Sequence, residues 1–182
     1  ETLARLRKEP SYVLYQTIPD YWSDETPEIH NNLPTPEFDD TGFVGRREDR
    51  KNIMRHLMSP NPVITIVGEG GAGKTALALR CLYDVVESPN PRWDMVVWVS
   101  LKTKRLAPSG MFEIVHAIQS TSGIADTVEE MAGGELEGGI SGILELMDTF
   151  KVLLAIDNLE TIQATALRPL YAFVPSGSKL LI

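Results

Sequence analysis

Apolar residues in this chain fall into two kinds of run that alternate. Unbroken β-branched and aromatic stretches occur at residues 63–67, 94–101, 152–156 and from Ser178 onward. Such runs read as strands buried on both faces of a sheet. Between them lie helical stripes. Ile53, Met54, Leu57 and Met58 share one face of a segment spanning 49–58, which Ser59-Pro60-Asn61-Pro62 stops. Leu79, Leu82, Tyr83 and Val86 follow the i, i+3, i+4, i+7 pattern over 75–88, broken by Pro89-Asn90-Pro91. Ser109 is placed to cap a helix carrying Met111, Val115 and Ile118. Ile140, Ile143, Leu144 and Met147 form another stripe, and Leu167, Leu170, Tyr171 and Val174 a last one, closed by Pro175. Residues 121–139, with Asp126, Glu129, Glu130, Glu135 and Glu137, read as a solvated acidic loop. Strands alternating with helices predict an α/β fold: right-handed crossovers, a parallel sheet, and helices on both faces.

The first 40 residues are patterned differently. Residues 1–10 suggest a short charged helix ended by Pro10. From there to about residue 40, Pro27, Pro34 and Pro36 mix with Tyr12, Tyr15, Tyr21 and Trp22 without periodicity. This predicts an extended linker or a strap laid over a domain, separate from a domain at 41–182. The chain opens without Met and stops on Lys179-Leu180-Leu181-Ile182 within a strand-like run, so a piece of a longer protein is expected.

The densest chemistry follows the first buried strand. Gly68-Glu69-Gly70-Gly71-Ala72-Gly73-Lys74-Thr75 has the spacing G-x-x-x-x-G-K-[ST] between a strand and a helix. A polyphosphate needs several backbone N–H donors aimed into one small volume, and glycines let the chain curl tightly enough to supply them. The helix that follows adds its N-terminal dipole and free N–H groups. Gly70, Gly71, Ala72, Gly73, Lys74, Thr75 and Ala76 are therefore the expected phosphate-contacting positions. Lys74 would reach the β- and γ-phosphates, and the Thr75 hydroxyl would ligate Mg²⁺. At ordinary glycine usage, a chance match in a chain this size is on the order of one per cent. A flexible glycine-rich turn with a solvated lysine is the bland alternative, and the flanking elements speak against it.

Asp157 ends the third buried strand after five apolar residues. Ligands of open α/β sheets bind at those carboxyl ends, so Asp157 should face the phosphate loop and share the metal with Thr75. The alternative is a turn cap. Where many additional-strand ATPases carry Glu directly after this Asp, this chain has Asn158, which accepts no proton. Glu160 is the remaining candidate to orient water, or it is simply solvated.

Composition narrows the partners. Net charge is −8 with a pI near 4.9, leaving no electrostatic footprint for nucleic acid or anionic membrane. A lone cysteine, Cys81, rules out an internal disulfide and suits a reducing, cytoplasmic setting. Cys81 sits away from any candidate base and reads as packing. His30, His56 and His116 have no ligand spacing, and Trp93 and Trp98 read as core or sheet-edge aromatics rather than a base-stacking platform.

Taken in order, Gly42-Phe43-Val44-Gly45-Arg46, the phosphate loop, Val96-Val97-Trp98-Val99-Ser100, residues 153–160 and residues 177–182 resemble the STAND class of signalling ATPases. The NB-ARC branch is the nearest match, from about residue 34 to 182. The resemblance implies a P-loop NTPase three-layer α/β/α sandwich of ASCE or AAA-like type that binds ATP or ADP with Mg²⁺. It implies that Phe43, Val44 and Gly45 lie against adenine, and that Arg46 fixes this segment near the nucleotide or a neighbouring subunit. It further implies self-association of the full-length protein, slow hydrolysis, and an arginine-bearing sensor, a winged helix and a helical subdomain beyond residue 182. Two other functions remain open: a remodelling ATPase in which turnover does the work, and a regulatory scaffold with no turnover.

Overall fold

The computed structural model describes residues 28–35, 45–101, 104–107, 110–113, 120–159 and 164–182. Along the chain these form β1 (His30–Asn31), α1 (Arg47–Leu57), β2 (Val63–Ile64), α2 (Lys74–Val86), β3 (Met95–Ser100), β4 (Lys104–Ala107), β5 (Gly110–Glu113), α3 (Thr121–Ala132), α4 (Ile140–Thr149), β6 (Val152–Asp157), a 3-10 turn (Ala164–Leu167), α5 (Arg168–Ala172) and β7 (Lys179–Leu181). Five strands make one all-parallel sheet in the order β1-β3-β6-β7-β2. The sheet is the α/β architecture that the alternating pattern predicts. Between the strand leading into the phosphate loop and the strand ending at Asp157 lies β7, an additional strand.

The apolar runs form the centre of the sheet because both their faces are covered. β3 and β6 pair from Met95↔Val152 to Ser100↔Asp157, and successive side chains point to opposite sides. Val97, Val99, Leu154, Ile156 and Leu180 join a core with Ile124, Val128, Ile143, Leu146, Met147 and Leu170 from α3, α4 and α5. Val96, Trp98, Leu153, Ala155 and Leu181 join a second core with Leu57, Leu77, Cys81, Leu82 and Val85 from α1 and α2. The ladder of β2 runs past its two assigned residues: the Ile182 N–H donates to the Ile64 carbonyl at 2.9 Å and the Ile66 N–H to the Ile182 carbonyl at 2.6 Å.

Polar contacts fix the layers. Asp84 of α2 takes the Arg50 guanidinium of α1 through both oxygens, with Nη2 2.7 Å from Oδ1, and Arg80 lies 2.9 Å from the same oxygen. At the opposite end of the sheet from the phosphate loop, the buried Lys179 ammonium donates to the Ser59 and Asn61 carbonyls at 2.6 Å each. Burial, helped by nearby Arg92, pushes the Lys179 ammonium below the ordinary lysine range. Ser178 is likewise buried; its hydroxyl accepts the Val152 N–H at 2.9 Å and lies 2.7 Å from the Met147 carbonyl.

Two expectations, one from periodicity and one from charge, fail. Residues 110–113 are not a helix: they form β5, antiparallel to β4, with Ala107 opposite Gly110. The apolar spacing of Met111, Val115 and Ile118 fits a helical period, but a Pro-Ser-Gly sequence after Ala107 is equally a hairpin signal. Nor are residues 121–139 one solvated loop. Ser120 caps α3 by accepting the Gly123 N–H at 3.3 Å, and Ile124, Ala125 and Val128 are buried on one face. Asp126, Glu129 and Glu130 lie off that face, Glu135 and Glu137 follow the helix, and Gly133 ends it in a left-handed conformation with φ 67°.

Gly142 is closely packed in this layer. A Cβ there would lie 2.7 Å from the Glu137 carbonyl oxygen and 3.0 Å from the Leu136 Cβ. On helix propensity alone, Gly142→Ala would stabilise by about 1 kcal/mol; the clash with backbone reverses the sign, and a loss of about 1–3 kcal/mol is expected from denaturant unfolding. A stabilised variant would contradict this packing. Burial also raises the Cys81 thiol from the ordinary 9.0 to about 12. Its folded value lies above its unfolded one, so this contribution to stability is intact below pH 9 and is lost as pH rises towards 12. Native protein at pH 8 should therefore resist a thiol reagent that reacts at once after denaturation; fast labelling of folded protein would contradict the burial.

Candidate functional site

The phosphate loop leaves the sheet beside β7 and turns into α2. Its turn is closed by the Ala72 N–H donating to the Glu69 carbonyl at 3.2 Å, and α2 starts with the Leu77 N–H on the Gly73 carbonyl at 3.0 Å. Gly71 and Gly73 hold φ of 75° and 74°, which side chains other than glycine rarely adopt. A Cβ built at Gly70, Gly71 or Gly73 would meet nothing within 4 Å. The backbone thus curls around open space at the N-terminus of a 13-residue helix. Positive dipole and free N–H groups gather there, which suits an anion. Lys74 is half-buried, and its ammonium donates to the Gly68 and Glu69 carbonyls at 2.8 and 3.1 Å. Ala72, Thr75 and Ala76 are also half-buried.

Asp157 meets this loop directly. Thr75 Oγ1 donates to Asp157 Oδ1 at 2.8 Å, joining residues 82 apart in the chain. A hydroxyl and a carboxylate are hard oxygen donors of the type Mg²⁺ takes, and these two would hold it. Among the described residues, no group of three or more His, Cys, Asp or Glu could hold a metal by itself. The donor set therefore fits a cation that arrives with phosphates.

Between the loop and the strand ends lies a cleft of about 280 Å³, lined by Lys74, Asp157, Asn158 and Gly68, with Ile66, Ala78, Trp98, Ala155 and Leu181 beneath. Reasoning from motifs missed this apolar floor. Trp98 reads from sequence as a core or sheet-edge aromatic; it is 9% exposed and also lines the cleft. The signal was its place opposite Ala155, two residues before the strand end at Asp157. Asn158 has φ 61°, a left-handed conformation that asparagine tolerates better than most residues.

Two other predicted residues that the structure describes lie apart from the cleft. Gly45 (φ 88°) and Arg46 (φ 50°) are exposed; Arg46 begins α1 by accepting the Arg50 N–H at 2.9 Å and lies 3.9 Å from Asp49. Neither lines the cleft. Phe43, Val44, Glu160 and His116 lie outside the described residues. His30 contacts the Met131 carbonyl at 3.0 Å, and Trp93 is buried. Among the described residues, no helix is long and apolar enough to cross a membrane.

Comparison with known proteins agrees with this geometry. The chain is 26% identical over 145 residues to the transcription activator GutR of Bacillus subtilis, covering 77% of this chain and 17% of that protein. It is 29% identical over 125 residues to an uncharacterized WD repeat-containing protein of Nostoc sp., covering 66% of this chain and 10% of that protein. The chain thus spans less than a fifth of either relative's length. The NB-ARC domain family matches residues 46–180, from the start of α1 into β7. With a phosphate loop, a carboxylate at the end of the facing strand and an additional strand between them, this chain belongs to the NB-ARC family of STAND-class P-loop NTPases, which are nucleotide-binding signalling modules.

Proposed function

We propose that this chain is the adenine-nucleotide-binding module of a multidomain switch, resting with ADP and Mg²⁺ and assembling through the full-length protein when ATP replaces ADP. The observation that carries this reading is the Thr75–Asp157 contact beneath an open glycine cradle. In it, backbone N–H groups from Gly70 to Ala76 hold the phosphates. Lys74 exchanges its loop carbonyls for β- and γ-phosphate oxygens. Thr75 and Asp157 would hold Mg²⁺, which would supply positive charge against the phosphates. Phe43, Val44 and Gly45 take adenine, with Arg46 fixing the segment. Residues 41–182 form the bulk of this module, with His30 and Asn31 added as the edge strand of its sheet, and the rest of residues 1–40 lead into it. A cytoplasmic location fits the lone buried thiol.

Slow turnover follows from chemistry at the strand end. Asn158 stands where a general base would polarise water, and an amide side chain accepts no proton. Glu160 remains to orient that water, so hydrolysis resets the switch rather than driving work. The GutR relative is a transcription activator, which supports a regulatory host protein over a remodelling motor.

The test is to denature purified protein and identify released nucleotide by chromatography. ADP from the wild type, with Lys74→Ala emptied or weakened about 10- to 100-fold, is expected, since a charged hydrogen-bond donor is lost. A wild type that neither carries nor binds adenine nucleotide would sink the proposal. Steady-state hydrolysis should stay at or below roughly one turnover per minute, against an enzyme median near 10 s⁻¹. Turnover well above that rate would favour the motor.

A further inference from the structure

The described part of the strap, residues 28–35, is fastened to the two elements that frame the candidate site. His30 and Asn31 pair with Met95 and Val96 as the edge strand β1. Beyond them the Asn32 side chain continues the sheet. Its Oδ1 accepts the Trp98 N–H at 2.6 Å, and its Nδ2 donates to the Trp98 carbonyl at 3.0 Å. The Pro34 carbonyl then accepts the Tyr83 hydroxyl of α2. One amide side chain thus satisfies both backbone groups of Trp98, whose own side chain lines the cleft shared by Lys74 and Asp157. Among neutral side chains of this length, an amide is what offers a donor and an acceptor side by side. The strap thus grips α2 near its C-terminal end, on the same helix whose first turn carries Lys74 and Thr75.

We propose that residues 28–35 are a docked input arm, in which Asn32 is a positioning residue that acts on the nucleotide site through Trp98. The inference rests on the nucleotide reading above and adds its regulation. Attachment of the arm holds the floor of the cleft and the α2 helix in the arrangement that retains nucleotide. By linkage, bound nucleotide tightens the arm, and a force or partner acting on the upstream chain that lifts the arm from β3 loosens the nucleotide. A plain edge strand that only blunts the sheet would stabilise the fold without this reciprocity.

The test uses the full chain loaded with a fluorescent ADP analogue, chased with unlabelled ADP. Asn32→Ala should release the analogue about 5-fold or more faster than wild type, the lower bound of ordinary site-to-site coupling. Asn32→Asp should do likewise, because its carboxylate still accepts the Trp98 N–H but offers the Trp98 carbonyl no donor. Tyr83→Phe should accelerate release in the same direction, and it decides the matter if both Asn32 variants fail to fold. In wild type, ADP should slow hydrogen exchange in residues 28–35. Variants that melt earlier but release nucleotide at the wild-type rate would overturn the arm while leaving the nucleotide reading intact. A wild type that binds no analogue would overturn both.

Discussion

The hydrogen bond from the Thr75 hydroxyl to the Asp157 carboxylate ties the first turn of a helix to the end of a strand 82 residues away. It depends on everything between. Residues 95–99 and 152–156 are too apolar to face water on either side, so they must sit between two helical layers. Parallel strands so covered all end at one edge of the sheet, and the β3–β6 register brings Ser100 and Asp157 out there together. With β7 between them, the strand that launches the phosphate loop stands far enough from β6 to leave a cleft and near enough for Thr75 to reach Asp157. Polarity and position thus have one cause: the carboxylate appears where the apolar run stops.

The other face of that constraint is rigidity away from the site. Arg50 and Asp84 lock α1 to α2, and Lys179 and Ser178 satisfy carbonyls at the far end of the sheet. These groups hold the scaffold while the loop and strand ends remain open. The glycines at 70, 71 and 73 are exposed, and a Cβ on any of them would meet nothing within 4 Å, so their backbone is open to solvent.

Much of this was legible in the sequence because the signals were redundant. The phosphate loop was marked by spacing, by a strand before it and by a helix after it. Asp157 was marked by five apolar residues ahead of it. Errors arose where two periods competed or where charge was weighed above pattern. Residues 110–113 carry apolar spacing compatible with a helix, yet pair as a hairpin strand. In α3 the acidic count concealed Ile124, Ala125 and Val128 on one buried face. The part played by Asn32 had no sequence signal, because an amide that completes a sheet edge is defined only by the residue 66 positions away that it meets. Trp98 reads from sequence as a core or sheet-edge aromatic, which says nothing of a cleft, since a single strand position can serve both.

The most direct measure of the central claim is calorimetric titration of ADP into the nucleotide-stripped protein, with and without Mg²⁺, for the wild type and for Asp157→Asn. If Thr75 and Asp157 share a metal that bridges to phosphate, Mg²⁺ will tighten ADP binding to the wild type, and Asp157→Asn will abolish that gain while retaining Mg²⁺-free binding. Equal affinity with and without Mg²⁺, or a full Mg²⁺ response in Asp157→Asn, would contradict it.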